Sequence, residues 1–274
     1  MTAIIKSVAR FALGQRRMQS LRALIQNSSL FTQQTVVREP GAGRIVVLAP
    51  HMDDETLGCG GTIARHVQAG AQLTVVFLTD GRHGGESCPE WSGAQRRDKE
   101  REIVGIRKSE ARRAADVLGV KSLQFLDAED MRLNADVRVS KLLRAILEQE
   151  QPDCVYLPSF LEQHPDHRAA NGVLFDAVVG TGLDFECRGY EVWTPLFPNC
   201  VIKIDATIEL KKRALSCYAS QLAQMDYLHA AIGLSAHRSM ALGGRTGRFA
   251  EAFHALRAAE YLKMYRAFPA SMLP

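Results

Sequence analysis

One apolar segment that ends in a cluster of ionisable side chains constrains the fold of this 274-residue chain more than any other feature. The segment Arg44–Ala49 reads Arg-Ile-Val-Val-Leu-Ala, a pattern typical of a strand buried on both faces. After Pro50 the chain continues directly with His-Met-Asp-Asp-Glu at positions 51–55. Ionisable groups without partners are costly to bury, and open α/β sheets bind ligands beyond the carboxyl ends of their strands. The cluster therefore predicts a functional site at one edge of a sheet.

Strands and helices alternate along the rest of the chain. This alternation predicts an α/β fold, a Rossmann-like and mostly parallel sheet flanked by helices. The Gly-rich and polar stretch from residue 80 to about residue 97 predicts a long loop over the site. Besides Arg44–Ala49, the predicted strands cover residues 73–79, 122–126, 154–157, 190–194 and 201–204. The predicted helices cover residues 56–69, 99–118, 137–149, 166–179, 206–217 and 249–265.

Residues 1–43 are predicted to form a separate N-terminal helical extension and linker, with residues 44–274 as the main domain. Its apolar positions fall near one face of a helix, and Pro-Gly-Ala-Gly at 40–43 predicts a turn. Residues 1–38 carry six basic residues and no acid, which exceeds the net charge of +4 for the whole chain. The main domain is therefore slightly acidic, which argues against a nucleic-acid partner. The apolar positions of the extension are Ile4, Val8, Phe11, Met18, Leu21 and Ile25.

Three interpretations of the N-terminal extension remain open. A basic amphipathic helix can lie on an anionic membrane, which predicts peripheral membrane contact through residues 1–38. A transit peptide has a similar composition, and a helix that packs on the main domain is equally consistent with the pattern. No apolar run is long enough to predict a membrane-spanning helix. Six scattered cysteines without a C-x-x-C pair predict reduced thiols and a cytoplasmic protein.

A second motif, His-Pro-Asp-His at positions 164–167, follows the predicted strand 154–157. His164 and His167 are three residues apart and would share one side of the first turn of a helix. Alone, such a pair is typical of surface histidines, and the acids of the first cluster could simply cap a helix. A cap needs only one acid, however, and does not explain His51. Together the two motifs indicate a metal site with three protein ligands, an open position for water and a nearby base.

Both motifs resemble those of the LmbE-like (PIG-L) family of zinc-dependent N-acetylglucosamine de-N-acetylases. The family's first motif reads His-Pro-Asp-Asp-Glu, so Met52 stands where the family has a proline that stiffens the turn. The second motif is intact. Weaker matches occur at 107–110, 220–221 and 251–253, so the resemblance extends in order from about residue 44 to residue 265.

The resemblance implies a role for each residue of the site. It implies that Asp53 is the general base, that a protonated His164 stabilises the oxyanion, and that Asp166 orients an imidazole. It also places Arg107 near the substrate pocket, although Arg107 and Glu110 could equally form an i, i+3 pair on a solvated helix. The cofactor would be zinc, with ferrous iron as the alternative. The implied metal ligands are His51, Asp54 and His167.

The implied function is hydrolysis of the N-acetyl group of an N-acetylglucosamine-type conjugate, with a lipid-linked sugar among the candidate substrates. One alternative keeps this mechanism but changes the substrate to a sugar-bearing natural product or a thiol glycoside. Another is a metal- or sugar-binding protein without turnover, against which Asp53 and His164 argue, since simple binding requires neither. The sequence contains no Walker A motif, no G-x-S-x-G elbow and no complete dinucleotide-binding fingerprint.

Overall fold

The computed structural model describes residues 34–86, 90–243 and 247–267. Within these residues, eight strands form one sheet and eight α-helices flank it. The strands are β1 Val36–Val37, β2 Arg44–Ala49, β3 Gln72–Thr79, β4 Ser122–Ala128, β5 Cys154–Pro158, β6 Glu186–Tyr190, β7 Cys200–Lys203 and β8 Ala250–Arg257. The helices are α1 Asp54–Gln68, α2 Gly93–Leu118, α3 Val137–Glu150, α4 Pro165–Val178, α5 Ile208–Leu215, α6 Ala219–Leu222, α7 Tyr227–Arg238 and α8 Ala258–Ala267.

The order of strands in the sheet is β1-β7-β8-β6-β5-β2-β3-β4. Every neighbouring pair is parallel except those that involve β8, which runs antiparallel to β6 and β7. The prediction of a mostly parallel α/β sheet is therefore confirmed. From β2 the chain moves outward to β3 and β4, then returns to add β5 and β6 on the other side. The direction reverses between β2 and β5, which is where such sheets form a crevice for ligands.

Strand β2 is buried on both faces, as its apolar run predicts. Ile45, Val47 and Ala49 belong to a core that also contains side chains of α1 and α2. Val46 and Leu48 point to the opposite core, which α3 and α4 cover. The strand that leads to the first motif is thus fixed by packing on both sides.

Two sequence predictions are wrong where pairing in the folded sheet overrides local preference. Strand β6 ends at Tyr190, where the predicted strand 190–194 begins. The predicted helix 249–265 is strand β8 as far as Arg257, and only then does α8 begin. The alanines and the glutamate of this segment favour a helix locally. Hydrogen bonds to β6 on one side and to β7 on the other nevertheless fix it as a strand.

Smaller differences affect two helices and the N-terminal extension. Helix α2 begins at Gly93, earlier than predicted, because Ser92 and Gln95 form a reciprocal capping box. Helix α7 was not predicted. Residues 1–33 lie outside the described residues, so the helical extension and its membrane contact stay predictions. Val36–Val37, assigned to that extension, form edge strand β1 beside β7.

No helix within the described ranges has the length and apolar character needed to cross a membrane. The five cysteines that fall in these ranges are free thiols, four of them buried. Cys88 lies outside the described residues.

A buried ion pair supports the kink in helix α1. The backbone leaves helical geometry at Cys59, with φ −145° and ψ 22°. Beyond the kink, the carboxylate of Glu251 accepts hydrogen bonds from the backbone N–H groups of Gly61 and Thr62, at 3.0 and 2.7 Å. Lys211 Nζ donates to Glu251 Oε1 at 2.6 Å and, before the kink, to the carbonyl of Leu57 at 2.8 Å. The pair therefore bridges the two halves of the helix that begins at Asp54.

Replacement of one member of this pair should destabilise the protein. Lys211→Met leaves Glu251 as an unpaired buried charge, which costs about 3–5 kcal/mol of unfolding free energy. Lys212→Met is the matched control, because Lys212 forms a partly exposed i, i+3 pair with Glu209 and lies 5.8 Å from the centre of the Phe249 ring, contacts worth about 0.3–1 kcal/mol each. Urea denaturation of both variants measures the difference. Equal losses would contradict a special contribution from the buried pair.

Candidate active site

The two motifs meet at one carboxylate oxygen. His51 follows β2, Asp54 begins α1, and His167 lies in the first turn of α4. Asp54 Oδ2 lies 3.2 Å from His51 Nδ1 and 3.2 Å from His167 Nε2. The same oxygen accepts a hydrogen bond from the backbone N–H of His51 at 2.8 Å. All three residues are buried, so the sequence-predicted ligand set converges in the crevice between β2 and β5.

The outer nitrogen of each of these two histidines faces a buried carboxylate. His51 Nε2 lies 3.1 Å from Asp130 Oδ1 and 3.3 Å from Asp166 Oδ2. His167 Nδ1 lies 3.3 Å from Glu162 Oε2. Carboxylates in this position fix the tautomer and the orientation of metal-binding histidines. Asp166 thus lies where a role in orienting an imidazole requires it, and Asp130 and Glu162 are additions that the sequence did not suggest.

The inner atoms of the cluster fit a divalent cation. His167 Nε2 is fully buried, and among the described residues it has no hydrogen-bond partner despite its closeness to Asp54. Two imidazole nitrogens and a carboxylate oxygen that face one another form a donor set suited to zinc. A different trio, His51, His164 and His167, has its ligand atoms within 4.8 Å of one another. We favour Asp54 over His164 as the third ligand because Nδ1 of His164 already accepts a hydrogen bond from the backbone of Asp166, at 3.2 Å.

A second set, formed by His51, Asp130 and Asp166, also has its ligand atoms within 4.8 Å of one another. It would use the outer nitrogen of His51 and leave His167 Nε2 unsatisfied. The Asp166 carboxylate is moreover occupied by the backbone N–H groups of Met131 and Leu133, at 2.7 and 3.2 Å. These contacts suit a supporting carboxylate better than a metal ligand.

Asp53 is held in a strained backbone conformation. Its φ of 137° and ψ of −27° are rare for a residue with a side chain, and such strain costs about 1–3 kcal/mol. The backbone N–H of Asp53 donates to Glu55 Oε2 at 3.2 Å, and Tyr218 donates its hydroxyl to Glu55 Oε1 at 2.6 Å. The side chain of Asp53 caps no backbone N–H of the helix. Simple capping therefore does not explain why an acid stands at this position.

Arg107 braces the turn that carries Asp53. The guanidinium group is buried and donates to the carbonyls of Met52 and Gly81, at 2.9 and 3.1 Å, and to Asp53 Oδ1 at 3.4 Å. Glu110 is also buried and accepts from the backbone and the hydroxyl of Ser220. The alternative of a solvated ion pair is therefore wrong. With Met52 fully buried and its carbonyl bound by Arg107, the turn is fixed without the family's proline.

Neighbouring charges separate the pKa of Asp53 from that of Asp54. Burial raises the pKa of Asp53 to about 7, against the lowering effect of Arg107 and with a further raising effect of Asp54. Burial acts in the same direction on Asp54, but the adjacent His167 and His51 outweigh it and hold the pKa of Asp54 well below its usual value. Asp53 is thus suited to exchange a proton near neutral pH, and Asp54 remains an anion.

The surroundings of His164 favour its neutral form. Burial and the positive charges of His51 and His167 lower the pKa of His164 to about 4. Since Nδ1 of His164 accepts the backbone N–H of Asp166, the proton of a neutral ring lies on Nε2. These contacts favour a neutral N–H donor, and the protonated His164 that the resemblance implies stays a prediction.

A cavity of about 230 Å³ opens over these residues. Asp53, Arg107 and His164 line it, as the sequence predicts for catalytic and substrate-binding groups. Asp130 was missed, although an acid shortly after a predicted strand was a usable signal. His83 and Gly84 belong to the stretch 80–97 predicted to lie over the site, and Gln221 belongs to the weaker family match at 220–221. The remaining lining residues have no distinctive sequence pattern and could not be foreseen. These are Leu57, Met131, Trp193 and Tyr227.

Comparison with known proteins identifies relatives of this chain. Residues 46–178 match the PIG-L family, described as GlcNAc-PI de-N-acetylase. The diacetylchitobiose deacetylase of Thermococcus kodakarensis is 30% identical over 194 residues, which cover 65% of this chain and 70% of that protein. The 1D-myo-inositol 2-acetamido-2-deoxy-alpha-D-glucopyranoside deacetylase of Rhodococcus erythropolis is 28% identical over 177 residues. That alignment covers 57% of this chain and 60% of the relative, so less than two thirds of the latter is matched.

Solved structures share the fold. The conserved protein TT1542 from Thermus thermophilus superposes with a TM-score of 0.64 at 27% identity, covering 77% of this chain and 93% of its own. The N,N'-diacetylchitobiose deacetylase of Pyrococcus horikoshii gives 0.64 at 23% identity, with coverage of 93% and 94%. GalB, a 4-carboxy-2-hydroxymuconate hydratase of Pseudomonas putida, gives 0.65 at 23% and coverage of 77% and 95%. The last two show a common fold alone. From the family match, the Thermococcus relative and the two motifs, we conclude that this chain belongs to the PIG-L family.

Proposed function

We propose that this protein is a metal-dependent hydrolase that removes the acetyl group from the amine of an N-acetylglucosamine-type conjugate. The observation that carries the proposal is the position of Asp53, a carboxylate with a pKa of about 7, beside a histidine and carboxylate cluster under one cavity. The deacetylase relatives act, by their names, on diacetylchitobiose and on an acetamido-glucoside of inositol. The products would be acetate and a free amino sugar.

We propose His51, Asp54 and His167 as the metal ligands, with zinc as the metal and ferrous iron as the alternative. A divalent ion bound there would lower the pKa of a coordinated water to about 7 and polarise the acetyl carbonyl. Asp130, Asp166 and Glu162 would keep the two imidazoles oriented.

The chain's own residues would move the protons. Asp53 takes a proton from the water as the oxygen of that water attacks the acetyl carbon. The Nε2–H group of neutral His164 donates a hydrogen bond to the carbonyl oxygen while negative charge develops on it. When the carbon–nitrogen bond breaks, Asp53 returns its proton to the departing amine. Arg107 keeps Asp53 in place through the turn that it braces.

Two further candidate functions differ in what they release. Deacylation of a sugar-bearing natural product or a thiol glycoside would use the same residues, and a binding protein would release nothing. Measurement of acetate from free, inositol-linked, disaccharide and lipid-linked N-acetylglucosamine separates these candidates. A lipid-linked substrate would also give a purpose to membrane contact through residues 1–38.

Removal of the metal should abolish hydrolysis. Treatment with a chelator is expected to eliminate acetate release, and addition of zinc or ferrous iron should restore it, because without the ion the attacking water keeps its high pKa and the acetyl carbonyl is not polarised. Metal analysis alongside the assay should give one ion per chain. Full activity in protein that contains no metal would refute the proposal.

Asp53 and Asp54 should respond differently to substitution. Asp53→Asn should bind metal normally but lose about 10²–10⁴-fold in kcat, because an amide cannot accept the proton. Asp54→Ala should lose metal affinity as well as activity. Metal titration and kcat, measured on the same preparations, distinguish the two roles. Near-normal turnover by Asp53→Asn would show that another group is the base.

Glu162→Gln should weaken metal binding through His167. The substitution removes the carboxylate charge that faces His167 Nδ1, and loss of such a partner typically costs about 10–100-fold in metal affinity. Glu148→Gln, an exposed position on α3, serves as the control. A metal dissociation constant unchanged in Glu162→Gln would show that His167 needs no carboxylate partner.

A further inference from the structure

Two aromatic side chains line the cavity, and the proposed reaction uses neither of them. Trp193 and Tyr227 pack edge to face, with ring centroids 5.7 Å apart and an interplanar angle of 82°. They share the cavity with Asp53 and His164, but the side chain of Trp193 remains 46% exposed. A large aromatic ring left half in solvent beside buried reactive groups suggests contact with a ligand.

The backbone of Trp193 is fixed relative to the metal-binding cluster. Consecutive backbone N–H groups of Val192, Trp193 and Thr194 donate to Glu162 Oε1, at 2.8, 3.2 and 3.2 Å. The other oxygen of this fully buried carboxylate faces His167 Nδ1. One carboxylate therefore anchors both a proposed metal ligand and the loop that carries the ring.

Tyr227 lies on helix α7, which is hydrogen-bonded to the same loop. It begins helix α7, whose first turn is capped by Asp226. At the other end of that helix, Arg238 Nε donates to Glu191 Oε2 at 3.0 Å, and Glu191 leads directly into the Trp193 loop. The backbone segments that carry the two rings are thus held by polar contacts, so binding a ligand there requires little ordering of the backbone.

The size of the cavity determines which part of a conjugate would reach these rings. Its volume of about 230 Å³ is smaller than the ~300–1,000 Å³ typical of sites that enclose a drug-sized ligand. If the acetylated sugar reaches Asp53, a ring attached to it must lie toward the open side. The half-exposed side chains that line the cavity are His83, Met131 and Trp193, and Trp193 offers the largest apolar ring.

We propose that Trp193 and Tyr227 form a subsite for a saturated, polyhydroxylated ring joined to the acetylated sugar. Such a ring has a face of C–H groups that stacks on an aromatic surface, and hydroxyls at its rim that stay hydrated or bond to polar neighbours. This proposal rests on the proposed function and makes it more specific. The protein should act on two-ring conjugates in preference to the free monosaccharide.

Kinetics on two substrates test the subsite. Trp193→Ala should lower kcat/KM for N,N'-diacetylchitobiose about 3- to 10-fold, mainly through KM, and should change the value for N-acetylglucosamine less than twofold. Trp193→Phe should keep most of the preference, and Met240→Ala, which truncates an exposed side chain on another surface, should keep all of it. Equal losses on both sugars, or no loss on either, would overturn the proposal.

Binding without turnover separates this proposal from the proposed activity. The chain has two tryptophans, so in a Trp91→Phe and Asp53→Asn double variant Trp193 is the sole tryptophan, and excitation at the red edge of its absorption avoids the tyrosines. N,N'-diacetylchitobiose should change its fluorescence in a saturable way, at concentrations where N-acetylglucosamine does not. This result would support the subsite even if no acetate were released from any sugar. An unchanged signal with the disaccharide at saturating concentration would overturn it.

Discussion

The contact of Asp54 Oδ2 with two imidazoles is the interaction on which the rest of the site depends. It joins the end of β2 to the start of α4, two segments more than a hundred residues apart in sequence. The contact is possible because β2 and β5 are parallel neighbours, so both motifs leave the sheet at the same edge. Burial of both faces of β2 fixes this register, since a slip of one residue would exchange the two cores.

The negative charge of the buried carboxylates around this contact requires compensation. Six buried carboxylates surround the site, whereas the nearby basic groups are four histidines, including the half-exposed His83, and Arg107. Such an excess of buried acid is costly unless the groups are paired, protonated or bound to a cation. The protein uses hydrogen bonds for most of them, and the raised pKa of Asp53 lowers the charge further. A divalent ion at the shared oxygen would complete the compensation and would also supply the proposed chemistry.

The sequence was informative where a short motif follows a strand and uninformative where function depends on distant pairing. The convergence of His51, Asp54 and His167 could be predicted because each stands in a compact motif after an apolar run. The role of Glu162 could not be predicted, because its partners are three backbone N–H groups some thirty residues away and no local pattern indicates them. Trp193 was placed in a strand for the same reason. The helical prediction for β8 failed because its strand form depends on β6 and β7 arriving on either side.

The fold itself does not determine the reaction, because structures with names as different as a deacetylase and a hydratase share it at similar TM-scores. What can differ between such proteins is the set of loops at the carboxyl edge of the sheet. In this chain one of those loops is bound to Glu162, which also orients His167. A change in this loop would therefore alter the environment of the proposed metal ligand as well. If His167 binds the metal as proposed, the shared carboxylate limits how freely substrate preference can change without a change in metal affinity.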